Sequence, residues 1–121
     1  MTEEIISFET AVIAKEKGFD DLENCFCGYN PNEKKLLDYG LWPRFRTLYP
    51  KESIGAPTQC LLQRWLREKH KRFIYCAPRA IDGIVKWSNN ISVRENIFYD
   101  TYEEALETGL FESLKLIKNG D

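Results

Sequence analysis

The chain has 121 residues, 43% of them hydrophobic and 13% aromatic, which is enough to bury one core and excludes global disorder. No apolar run approaches the ~20 residues that a bilayer span needs, and the opening MTEEIIS has neither the basic nor the apolar region of a signal peptide. The formal net charge of −2 and a pI of about 5.5 run against the strongly basic balance of a dedicated nucleic-acid module. These features predict one cytoplasmic domain with no membrane segment.

In chain order, the first predicted element is a helix over residues 8 to 17. Ser7 suits its N-cap, Phe8, Ala11, Val12 and Ala14 supply an apolar face, and Gly18 sits where a left-handed terminal residue belongs. The stretch ENCFCGY, 23 to 29, has strand character. Residues 30 to 54 contain Pro31, Pro43 and Pro50. A short helix is expected there near 34 to 39, and a strand over FRTLY, 45 to 49. As a strand, the latter would put Arg44 and Arg46 on one side.

APTQCLLQRWLREKHKR, 56 to 72, predicts a second helix. Pro57 fits its first turn, and Leu61, Leu62, Trp65 and Leu66 recur at helical spacing. Strands follow over RFIYCA, 72 to 77, and GIVKWS, 83 to 88. They should form an antiparallel hairpin with its turn ending in Asp82-Gly83. NIFYD, 96 to 100, extends this as a third strand after a turn at Asn89-Asn90. Thr101-Tyr-Glu-Glu104 has the pattern of a capping box. It opens a third helix striped by Ala105, Leu106, Gly109, Leu110, Leu114 and Ile117, with Gly120 past its end. The expected fold is a single α+β domain over residues 1 to 121: an antiparallel sheet of about four strands with three helices packed on it.

Charge is segregated along this order. Residues 1 to 23 carry seven acids and two bases, and so do residues 95 to 121, whereas residues 34 to 94 carry thirteen bases and four acids. The basic centre is densest at Arg64, Arg67, Lys69, Lys71 and Arg72, with Arg79, Arg44 and Arg46 completing the candidate surface. Arg64 and Arg67 are helix neighbours, and Lys71 extends their row. Tyr39, Trp42, Phe45 and Tyr49 form a candidate aromatic patch, since aromatics and arginine dominate interface hot spots. Three readings fit the basic stripe: a solvated or internally paired face, a docking site for an acidic protein, or contact with RNA, whose bases stack on aromatics and guanidinium groups. For the aromatics, anchoring a loop to the core is the competing role. Charges of both signs also permit a homodimer.

Chemistry leaves few traces. There is no glycine-rich phosphate loop, nucleophile elbow or histidine-rich motif. Cys25, Cys27, Cys60 and Cys76 are expected as free thiols in a reducing compartment. Cys25-x-Cys27 has the wrong spacing for an ordinary zinc pair, and His70 is the only histidine. A thiol–imidazole dyad is open to Cys76 but not to Cys60, almost three helical turns from His70. No cofactor, metal or catalytic residue is therefore expected, and a thiol- or metal-dependent enzyme is the least favoured class.

APTQCLLQRWLREKH, 56 to 70, YEEALETGLFESLKLI, 102 to 117, and AKEKGF, 14 to 19, resemble the signature segments of a family of short uncharacterised proteins from phages and prophages of Bacteroidota. Together these cover roughly a third of the chain. The family carries no activity to transfer to any residue. The resemblance implies a context in which small non-enzymatic proteins bind host machinery, anti-CRISPR proteins among them. The expected function is thus an inhibitor of host defence, acting on an RNA-guided CRISPR effector or its guide RNA. The alternative is a phage accessory or structural adaptor that self-associates or binds a protein.

Overall fold

The structure, a computed structural model, describes residues 4–38, 40–91 and 96–117. Tyr39 and Gly120, both assigned roles above, lie outside the described residues. The fold is α+β. Among the described residues it has four α-helices and two small antiparallel sheets in place of the single sheet expected.

Helix α1 (Phe8–Glu16) starts at Ser7, whose Oγ accepts the Thr10 N–H at 3.3 Å. It ends in a Schellman motif: Phe19 N–H donates to Ala14 O at 2.9 Å, Gly18 N–H donates to Lys15 O at 3.1 Å, and Gly18 takes φ +97°. A short 3₁₀ turn (Leu22–Asn24) leads into strand β1 (Cys27–Asn30), so only the second half of ENCFCGY is strand. Strand β2 (Lys35–Leu37) occupies the place expected to be a short helix. It pairs with β1 after a turn in which Lys34 takes φ +55°.

Residues 45 to 49 are not a strand. Residues 45 to 48 belong to helix α2 (Trp42–Leu48), with Pro43 in its first turn, and Phe45 meets the C-cap Tyr49 one turn on, ring centroids 5.0 Å apart. Proline costs nothing in a first turn, and the i,i+4 aromatic pair outweighs the strand preference of each ring. The Trp42 ring lies across β1 so closely that a Cβ on Gly28 would meet it at 2.1 Å. Strand β3 (Ile54–Ala56) then pairs with the other edge of β1.

Helix α3 (Gln59–His70) begins later than expected. Thr58 is its N-cap, with Oγ1 accepting the Leu61 N–H at 3.1 Å. Pro57 stays outside the helix, its carbonyl accepting the Ile6 N–H. Strands β4 (Cys76–Ile81) and β5 (Ile84–Asn89) form the expected hairpin, but RFIYCA contributes only its last two residues. The turn is just Asp82-Gly83, both at positive φ (51° and 79°), as a tight two-residue hairpin requires. Residues 73–75 are held largely by the side chains of Asn90 and Gln63 instead, as described below. NIFYD shrinks to a single bridge, Trp87 to Tyr99. Both backbone groups of Trp87 go to Tyr99, at 2.8 and 2.7 Å, so Trp87 points away from β4. Its cross-strand partner Pro78 therefore points to the open side of β4, where a missing N–H leaves nothing unsatisfied.

Helix α4 (Tyr102–Lys115) is capped by Thr101, whose side chain accepts the Glu104 N–H at 3.1 Å; among the described residues only this half of the expected box forms. The core lies between α4, α3 and α1. Leu106, Leu110 and Leu114 meet Leu62 and Leu66, with Ala11 and Ala14, all at most 1% exposed. Burying each such leucine contributes about 1.5–3 kcal/mol. The hairpin packs on α4 through Asn89, whose Nδ2 donates to Ala105 O at 2.8 Å.

Candidate functional site

Helix α3 buries Gln59, Leu62, Trp65 and Leu66, which leaves Cys60, Arg64, Arg67 and Glu68 on its outer face. Arg64 and Arg67 share an open groove of about 460 Å³ with Phe26, Asn24 and Gln63. Phe26 is 72% exposed. Cys25 and Cys27 turn inward on either side of it, so period-2 alternation throws the ring outward. That alternation was visible in the sequence, yet Phe26 was not singled out.

The eight predicted basic residues do not act alike. Arg46 turns inward and donates to Leu22 O at 2.9 Å. Arg72 donates to Leu116 O at 3.2 Å, a cation at the C-terminus of α4. Arg79 sits 5.7 Å above the Phe98 ring. Arg44, Lys69 and Lys71 are exposed. Asp20, Asp21 and Glu68 border Arg64 on its other side without closing an ion pair. Among the described residues the ion pairs are Lys86 with Asp100 and Lys115 with Glu112, and none involves α3. Internal pairing of the basic helix with the acidic helices is therefore not seen among the described residues.

The aromatic patch does not assemble as expected. Trp42 is core, 1% exposed, with a buried Nε1 that has no partner among the described residues. Phe45 is half-buried, and Tyr49 is exposed.

On the far side of α3, Glu4, Glu103, Glu104 and Glu107 line an open groove of about 710 Å³. Glu107 has a structural task there: one oxygen accepts Ser7 N–H and the other Gln59 Nε2, each at 3.0 Å. Acidic and basic grooves thus flank the start of one helix.

Cys25, Cys27 and Cys76 are held protonated. Burial, then the Asp21 carboxylate, pushes Cys25 up to about 12, and burial pushes Cys76 up to about 11. Cys27 is also raised, by burial and then Asp38. A protonated thiol is a poor nucleophile and metal ligand. Among the described residues no group of three or more His, Cys, Asp or Glu is placed to hold a metal ion, and no helix is long and apolar enough to cross a membrane.

Comparison with family models, curated proteins and solved structures finds no match for this chain.

Proposed function

We propose that this chain is a small non-catalytic binding protein of a phage or mobile element that disables host defence machinery, its target an RNA-guided CRISPR effector or the effector's guide RNA. The observation that carries the reading is the groove of α3: Arg64 and Arg67 stand exposed and unpaired among the described residues, beside an exposed Phe26. Arginine next to an open aromatic ring is the composition of interface hot spots and of RNA contacts. The raised thiols weigh against a thiolate nucleophile. The phage context comes from the sequence strings at 14–19, 56–70 and 102–117.

A tagged protein recovered from host lysate with and without nuclease tests it. A nucleoprotein effector retained in both arms supports contact with protein. Retention lost after nuclease supports contact with RNA. No partner in either arm refutes inhibition in that host. The double reversal Arg64→Glu, Arg67→Glu is expected to abolish binding while shifting stability by no more than about 0.5 kcal/mol, as for exposed residues without partners. A collapse of the melting temperature would mean that these arginines hold the fold.

A second reading, an accessory adaptor that self-associates, is favoured by the hairpin tip. Ile84 and Val85 there are 59% and 56% exposed. Association of the purified chain with itself, without a host partner, would select it.

A further inference from the structure

Residues 69 to 81 carry four cations, Lys69, Lys71, Arg72 and Arg79, and no carboxylate. Within them, the connection from α3 to β4 presents Phe73 and Tyr75 at 58% and 64% exposure, with Ile74 between them at 4%. Large aromatics are normally the residues that a fold hides. Here the smaller Ile74 is inside, seated against α4 where a Cβ on Gly109 would come within 2.9 Å of it.

The backbone of this segment is clamped mainly by the side chains of Asn90 and Gln63. Asn90 Nδ2 donates to Phe73 O at 2.7 Å, Asn90 Oδ1 accepts Tyr75 N–H at 3.0 Å, and Asn90 N–H donates to Tyr75 O at 3.1 Å. Gln63 Nε2 donates to Ile74 O from α3. With Ile74 locked inward, both rings are held outward. Residues two apart on an extended chain stand about 6.6 Å apart. That is twice the ~3.4 Å one nucleotide occupies along a strand, which leaves room for a base between them. Neither ring meets another aromatic among the described residues.

We propose that Phe73 and Tyr75 are a stacking platform for single-stranded nucleic acid, with Lys71 and Arg79 as phosphate contacts on either side. Two fixed rings in a cationic, carboxylate-free run suit bases and phosphates together. A duplex offers no free base face, so the platform selects single strands. Stacking accepts any base, so little sequence preference is expected. The platform does not depend on the inhibitor reading, and it is separate from the Arg64–Arg67 groove.

The test is fluorescence anisotropy with a labelled oligouridine of about ten nucleotides, within the usual ~4–16 site size, against a duplex of equal length. The expected result is binding of the single strand in preference to the duplex. Phe73→Ala and Tyr75→Ala should each weaken it by about fivefold to a hundredfold. Their melting temperatures should match the parent, and Phe73→Trp and Tyr75→Trp should retain binding. Absence of binding by the parent, or preference for the duplex, overturns the proposal. So does binding that survives both alanine changes; if Arg64→Glu, Arg67→Glu then removes it, the α3 groove is the contact.

Discussion

Lys71 ends α3 with φ 55° and ψ 32°, a left-handed conformation without the glycine that usually supplies it. That geometry costs a side-chain-bearing residue roughly 1–2 kcal/mol. Glycine would relieve the strain while returning about 0.4–1 kcal/mol to the unfolded chain. Lys71→Gly is therefore expected to stabilise the fold by up to about 1 kcal/mol, read as a higher urea midpoint. It should also weaken oligonucleotide binding, since strain kept at one residue commonly serves a site. The thiols give a second prediction at this scale. Cys25 is 5% exposed and its Sγ donates to Asp21 O at 3.4 Å, whereas Cys60 is exposed. Iodoacetamide at pH 8 should modify Cys60 first and leave Cys25 untouched in the native protein, as mass spectrometry would show. Folding favours the protonated forms of Cys25 and Cys76. That stabilisation is complete below the ordinary thiol value of 9.0 and is lost as pH climbs toward their folded values of about 12 and 11. The urea midpoint should fall across that window, and fall less in a Cys25→Ala, Cys76→Ala variant.

At the scale of elements, the helices were readable where a hydroxyl caps them. Ser7 and Thr101 stood where expected, whereas Pro57, expected in the first turn of α3, precedes the Thr58 cap. Helix α2 was not readable, because Phe45 and Tyr49 favour strands singly and meet only once the chain coils. The alternation in RFIYCA showed extended chain, but periodicity does not say which face goes inside. That choice was made by Gly109 and Asn90, remote in sequence, and so the exposed pair Phe73 and Tyr75 could not be foreseen. The contact between α2 and β1 is the tightest seam. Gly28→Ala would drive a methyl into the Trp42 ring, which is itself 1% exposed. The expected loss is about 1–3 kcal/mol, measured by chemical denaturation. A neutral result would mean that the ring moves freely.

Across the whole molecule, the charge that the sequence separates along the chain is only partly separated in space. Glu4, Glu103, Glu104 and Glu107 line one groove at the start of α3 and Arg64 and Arg67 another, although Asp20, Asp21 and Glu68 border Arg64. The segregation was legible from residue counts, but its partition was not. Arg46 and Arg72 went to carbonyls and are half-buried, whereas Arg79 lies over a ring yet stays exposed. Such a molecule has to remain dispersed while carrying surfaces of both signs and an exposed hairpin.

Pro78 bears on that requirement. It occupies an outward-facing backbone position on β4, the side of the hairpin with no neighbouring strand among the described residues. Two copies meeting edge to edge would find no donor there, so the ladder that could seed aggregation is interrupted at its middle. Pro78→Val should restore the donor and keep the hairpin. The expected outcome is concentration-dependent dimers or larger species by light scattering, where the parent stays monodisperse. In these terms one proline acts as a solubility device, setting how much of this protein a cell can accumulate before it begins to bind itself.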